Sequence, residues 1–160
     1  MTPRIETVQH KNLVGKRMKL SYADYKIGQL WSSFMPDRKH INSPLTNELI
    51  ALTIYTPDHF MNFRPTNEFE KWACVEVATL NKIPTGMEAF ILSSGLYAIF
   101  SYRGPSVQVA AFYRSIFEEW LPNSTYIVDE RPHVEVMGEK YKNNDPSSEE
   151  EIWIPIKPRG

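Results

Sequence analysis

Three consecutive glutamates, Glu149, Glu150 and Glu151, run straight into Ile-Trp-Ile-Pro-Ile, a β-branched and aromatic segment suited to a strand. Strand alternation sets Glu151, Trp153 and Pro155 on one face and Ile152, Ile154 and Ile156 on the other. The isoleucine face is what packing beneath a helix requires, whereas the opposite face carries a carboxylate beside an indole. The residues alone leave two readings: all three glutamates are solvated at the start of an edge strand, or the last is carried inside. An enclosed carboxylate without a partner costs several kcal/mol or takes up a proton at raised pKa. A bound cation removes that penalty, and aromatic walls add about 0.5–2 kcal/mol per cation–π contact without demanding one ligand shape.

Other chemistries lack their parts. His10, His40, His59 and His133 are scattered, with no HExxH and no cysteine partner, so no metal site is expected. Cys74, the single cysteine, excludes an internal disulfide and reads as a buried thiol within WACVEV. No GxSxG and no glycine-rich phosphate loop occur among the seven glycines, and no cofactor is expected. Asp58-His59 reads as a turn. His133 and Glu135 share a strand face but are too few for a metal, and Lys71, Arg103 and Arg131 are single charges with no assigned function. A net charge of −1 gives no electrostatic footprint for nucleic acid. With neither a signal-peptide core nor a run of 18 apolar residues, the expectation is a cytoplasmic protein that does not engage a membrane.

The elements that must position these residues come in duplicate. Ile27, Leu30, Trp31, Phe34 and Met35 make one helical stripe, with Pro36 as its stop. Val109, Phe112, Tyr113, Ile116, Phe117 and Trp120 make another, opened by Pro105 and followed by Pro122. LWSSFMP aligns with IFEEWLP, the strand candidate NLVGKRMKLS with GLYAIFSYRG, IALTIY with PHVEVM, and EKWACVEV with EIWIPIKP. Only the strand around Met87–Leu92 stands between the copies. The pattern is α+β: a single domain over residues 1–160, with β-α-β-β halves at about 1–80 and 85–160. The halves bury their apolar surfaces together, as one curved antiparallel sheet carrying the helices, with a pocket between them.

GLYAIFSYRGP, the aromatic helix ending EEWLPNSTY, ERPHVEVMGEKY and SSEEEIWIPIK together resemble the GyrI-like family, also called the AraC-type effector-binding domain. The resemblance extends from LVGKRMKL to IPIKPR. It implies a pocket for a lipophilic, often cationic small molecule, and in family members that domain is usually attached to a DNA-binding helix-turn-helix. The chain leaves no room for such an attachment, so the expectation is a stand-alone sequestering or effector-binding member that does not bind nucleic acid directly. By position, the Glu-x-x-x-Pro acid of the family falls on Glu151. Trp31 and Trp153 are the first candidates for aromatic pocket walls, followed by Phe34, Phe112, Tyr55 and Tyr102, although a helical aromatic stripe more often belongs to a core. Trp120 reads as a structural anchor, and Glu70, the pseudo-symmetric counterpart of Glu151, as solvent-facing. The alternative is a hydrolase of cyclopropane-bearing or similar electrophilic genotoxins using the same glutamate. A protein partner contacting Glu118, Glu119 and the loop over 138–150 is a third possibility.

Overall fold

In the computed structural model, which describes residues 1–160, the alternating runs become nine strands. These are β1 (Arg4–Val8), β2 (Lys11–Ser21), β3 (Leu49–Ile54), β4 (Glu68–Val77), β5 (Glu88–Leu92), β6 (Gly95–Arg103), β7 (Tyr126–Val128), β8 (His133–Met137) and β9 (Glu149–Pro158). Every pairing is antiparallel, in the order β1-β6-β9-β8-β3-β4-β2-β5, with β7 on β9 beyond the stretch taken by β8. Pro155 falls at that junction, where a strand tolerates a residue lacking an N–H.

From the centre outward the two sides match: β3-β4-β2-β5 and β8-β9-β6-β1. The expected β-α-β-β duplication and curved antiparallel sheet are therefore present. Leu52 stands opposite Val134 where the halves meet. One feature was not foreseen. β1 precedes the first half yet pairs with β6, and β5 precedes the second half yet pairs with β2, so the halves exchange their leading strands.

Two cores lie on the helix side. Helix α1 (Ile27–Asp37) sets Leu30 and Phe34 against Val14, Ala73, Val75 and Val77 of β2 and β4. Helix α2 (Val109–Ser115) continues through a π turn, Ile116–Trp120, into a last turn, α3 (Leu121–Asn123). Ile116 packs there on Ala98, Phe100, Ile152, Ile154 and Ile156, which confirms the isoleucine face as the helix-bearing one. Pro36 and Pro122 lie inside the final turns and do not follow them. The wide turn ahead of Pro122 relieves the clash a proline otherwise makes with the carbonyl four residues earlier. No helix is long and apolar enough to cross a membrane.

The opposite face carries no helix, yet Leu13, Leu52, Trp72, Cys74, Tyr97, Val134 and Trp153 are buried there in a single cluster with Val8 and Leu92 from the edge strands. The curl of the sheet brings its edges and centre together. Curling crowds β2 against β4 at Gly15, where a Cβ would stand 2.0 Å from the Ala73 carbonyl oxygen. Gly28, exposed on α1, has nothing within 4 Å of such a Cβ. Alanine at the two positions should act with opposite sign. Gly15→Ala should lower the urea-unfolding free energy by about 1–3 kcal/mol, and Gly28→Ala should raise it by about 0.5–1 kcal/mol.

Candidate functional site

The helix-side cores leave a trough along the seam of the halves, and strand parity decides what it receives. The odd residues of β4 face the helices, and among apolar neighbours they include one charge, Lys71, only 5% exposed. Lys71 Nζ donates to Thr53 Oγ1 at 2.6 Å and reaches Glu135 Oε1 at 3.4 Å. Burial opposes the lysine's charge, but Glu135 and the nearby Tyr25 and Tyr22 outweigh it, so its pKa is raised and it stays protonated. The even residues of β9 face the same side, which makes Glu150, at 8% exposed, the acid that points inward. Its Oε1 is buried without a hydrogen-bond partner in the protein. Burial first, then the charge of Glu135, push Glu150 up to about 8, with Lys71 pulling the other way.

Aromatic hydroxyls surround these charges. Burial, then Glu135 and Glu150, raise the pKa of Tyr113 from α2. Burial, then Tyr22, raise that of Tyr55, which follows β3. Burial, assisted by Lys71, lowers His133 to about 4, so its ring is neutral. The Tyr55 ring meets His133 edge-on at 5.2 Å, and Phe117, in the π turn, lies 6.3 Å from His133 on the other side. A separate cleft of about 490 Å³ opens on the helix-free face at the start of β9, bordered by Ser101, Val136 and Glu151 with Glu48, Glu139 and Glu149 against one cation, Lys140.

Glu151 does not enter the trough. It lies on the helix-free face, accepts from Trp153 Nε1 at 3.1 Å, pairs with Arg4 at 3.0 Å and has a side chain one-third exposed. The helix covers Ile152, Ile154 and Ile156 as their pattern predicts, and the buried acid lies on that face, not on the face of Glu151 and Trp153. Glu150 is the residue with their parity. Trp153 is buried in the helix-free core. Phe34 is fully buried beneath α1, with Trp31 half-buried against it. Phe112 packs on Phe100 and Tyr102 and borders a smaller cleft with Met1 and Arg4, away from the seam. Tyr102 stands opposite Glu150 in register, its hydroxyl donating to the Pro105 carbonyl at 2.7 Å. Of the aromatic candidates, Tyr55 lies against His133 at the seam and Tyr102 lies across from Glu150.

Sequence reasoning passed over Lys71, Glu135, Glu150, Tyr22, Tyr25 and His59. For Glu150 the alternation with Ile152 was the available signal, and for Lys71 it was a lone charge among the buried odd residues of β4. Cys74 is fully buried, and burial pushes its thiol up, as expected of an unreactive cysteine.

A curled antiparallel sheet, two helices and a polar trough between pseudo-symmetric halves describe a module for binding small molecules. The chain belongs to the family of the GyrI-like small molecule binding domain, whose profile matches residues 1–157. It is 27% identical over 131 residues to the transcriptional regulator BrlR of Pseudomonas aeruginosa, covering 81% of this chain and 46% of that one, so the chain spans less than half of BrlR. Its fold is similar to SAV2435 bound to tetraphenylphosphonium, with a TM-score of 0.71 at 15% identity over 98% of this chain and 94% of that one. It is also similar to EcmrR in a DNA complex, with a TM-score of 0.74 at 11% identity over 99% of this chain and 58% of that one.

The sign of Glu150's contribution to stability follows from its shift. Its carboxyl holds a proton in the folded state up to about 8 but only to the ordinary 4.5 when unfolded, so the fold loses stability as pH rises between those values. Glu150→Gln should therefore gain on the parent progressively from about pH 5 to pH 8, reaching about 2–4 kcal/mol in urea unfolding. A difference that does not change with pH contradicts the buried-acid assignment.

Proposed function

We infer that the trough binds a lipophilic cation, with Glu150 as its central carboxylate. The observation that carries this reading is the uncompensated buried acid: Lys71 is matched by Glu135, and Glu150 has an unpaired oxygen and a raised pKa. A cation entering beside it supplies the missing charge and releases the proton. The acidic cleft at the start of β9, on the neighbouring face, adds to the negative potential that draws cations to this end of the molecule. Tyr55 and Tyr113 offer ring faces that do not prescribe ligand shape, which suits recognition of many related compounds. The tetraphenylphosphonium held by SAV2435, a protein of similar fold, fits this class. BrlR is named as a transcriptional regulator, and a regulatory output of binding is part of the same proposal. Hydrolysis at the same acid is the less favoured alternative; it would appear as product formed in excess over protein.

Titration with tetraphenylphosphonium and with neutral triphenylphosphine oxide, followed by calorimetry, tests the reading. Cation affinity should tighten about tenfold or more between about pH 6.5 and 8.5, as Glu150 gives up its proton. Glu150→Gln should weaken the cation about tenfold and remove the pH dependence, leaving the neutral compound unchanged. Equal losses for both compounds would contradict the central role of the charge, and so would no binding by the parent.

A further inference from the structure

The segment between β3 and β4 contains a histidine that is buried without a polar partner. His59 is 2% exposed, and neither ring nitrogen makes a hydrogen bond. Five rings enclose it, with centroids at 4.6 Å for Phe60, 4.8 Å for Tyr55, 5.8 Å for Phe63, 5.9 Å for Phe69 and 6.4 Å for Tyr22. Three of them, Tyr22, Phe60 and Phe63, are themselves largely exposed, so the enclosure sits at the surface. Its frame is ordered independently of the imidazole. The Tyr22 and Tyr55 hydroxyls are hydrogen-bonded, and Asn67 Nδ2 donates to the carbonyls of His59 and Asn62 at 3.2 and 3.0 Å.

A core that needed only filling would be served by leucine or phenylalanine. An imidazole with two unsatisfied nitrogens is a poor permanent occupant, because both regain hydrogen bonds on moving into water. A ring of aromatic faces is suited to a flat ring or an onium group. Tyr55 links the enclosure to the trough, since the ring that faces His59 and Phe69 also meets His133 of β8 edge-on.

We propose that this enclosure is an aromatic subsite for one ring or onium substituent of the ligand, and that His59 is the occupant the ligand expels. The proposal rests on the binding reading above and extends it: the carboxylate end recognises charge, and the aromatic end recognises a hydrophobic arm. Ligands with an aromatic arm should therefore bind better than compact cations such as tetramethylammonium.

The test combines tetraphenylphosphonium titrations of the parent, His59→Ala and His59→Leu with NMR of the His59 ring protons in the parent. Neighbouring rings should shift those protons upfield in the free protein, and the added cation should return them to the positions of a solvated histidine. His59→Ala should bind about tenfold tighter, since nothing need be expelled, and His59→Leu about tenfold weaker, since its occupant carries no unsatisfied nitrogens. If the parent binds the cation with the His59 signals unmoved and both variants keep parental affinity, the subsite is wrong while the binding reading stands. If neither the parent nor either variant binds, both are overturned.

Discussion

Everything distinctive here follows from a charge count that does not close. Inside the seam one ammonium, Lys71, faces two carboxyls, Glu135 and Glu150, while the neighbouring His133 is held neutral. Glu135 balances the lysine. Glu150 is left in a place where an isolated carboxylate costs several kcal/mol. Holding a proton is one escape and accepting a cation is the other, and the exchange between them is the function proposed for the trough.

Duplication supplies the place for this imbalance. In matching registers, Leu52 lies opposite Trp72 in one half and Val134 opposite Trp153 in the other. By that correspondence Lys71 stands where the second half has Ile152, and Thr53 stands where it has Glu135. The apolar frame is repeated, and the buried charges break its symmetry along the seam. Neither half contains the site, because Lys71 and Thr53 come from one and Glu135 and Glu150 from the other. The exchanged strands β1 and β5 tie the halves together at both edges of the sheet.

The fold was largely legible because it depends on periodicity. Two helical stripes, paired strand candidates and the isoleucine face of β9 all carry their pattern in the local sequence. The site was less legible, since a charge reveals its surroundings only once the face and the partner strand are known. Glu150 looked solvated between two other glutamates, although its parity with Ile152 placed it under the helix. Lys71 needed the cross-strand pairing with Thr53 and the neighbouring β8 to acquire a role. His59 gave a turn signal with Asp58, and nothing local reveals rings brought from β4 and from the segment after β2. The two prolines were read as helix stops, whereas a final turn accommodates each.

The central claim is that Glu150 keeps a proton in the free protein and surrenders it to a cation. Infrared difference spectra between the parent and Glu150→Gln at neutral pH read that proton directly. The free parent should show the carbonyl band of a protonated carboxylic acid, replaced by carboxylate bands when tetraphenylphosphonium is added. Carboxylate bands alone in the free parent, or a protonated band that the cation leaves untouched, would contradict it.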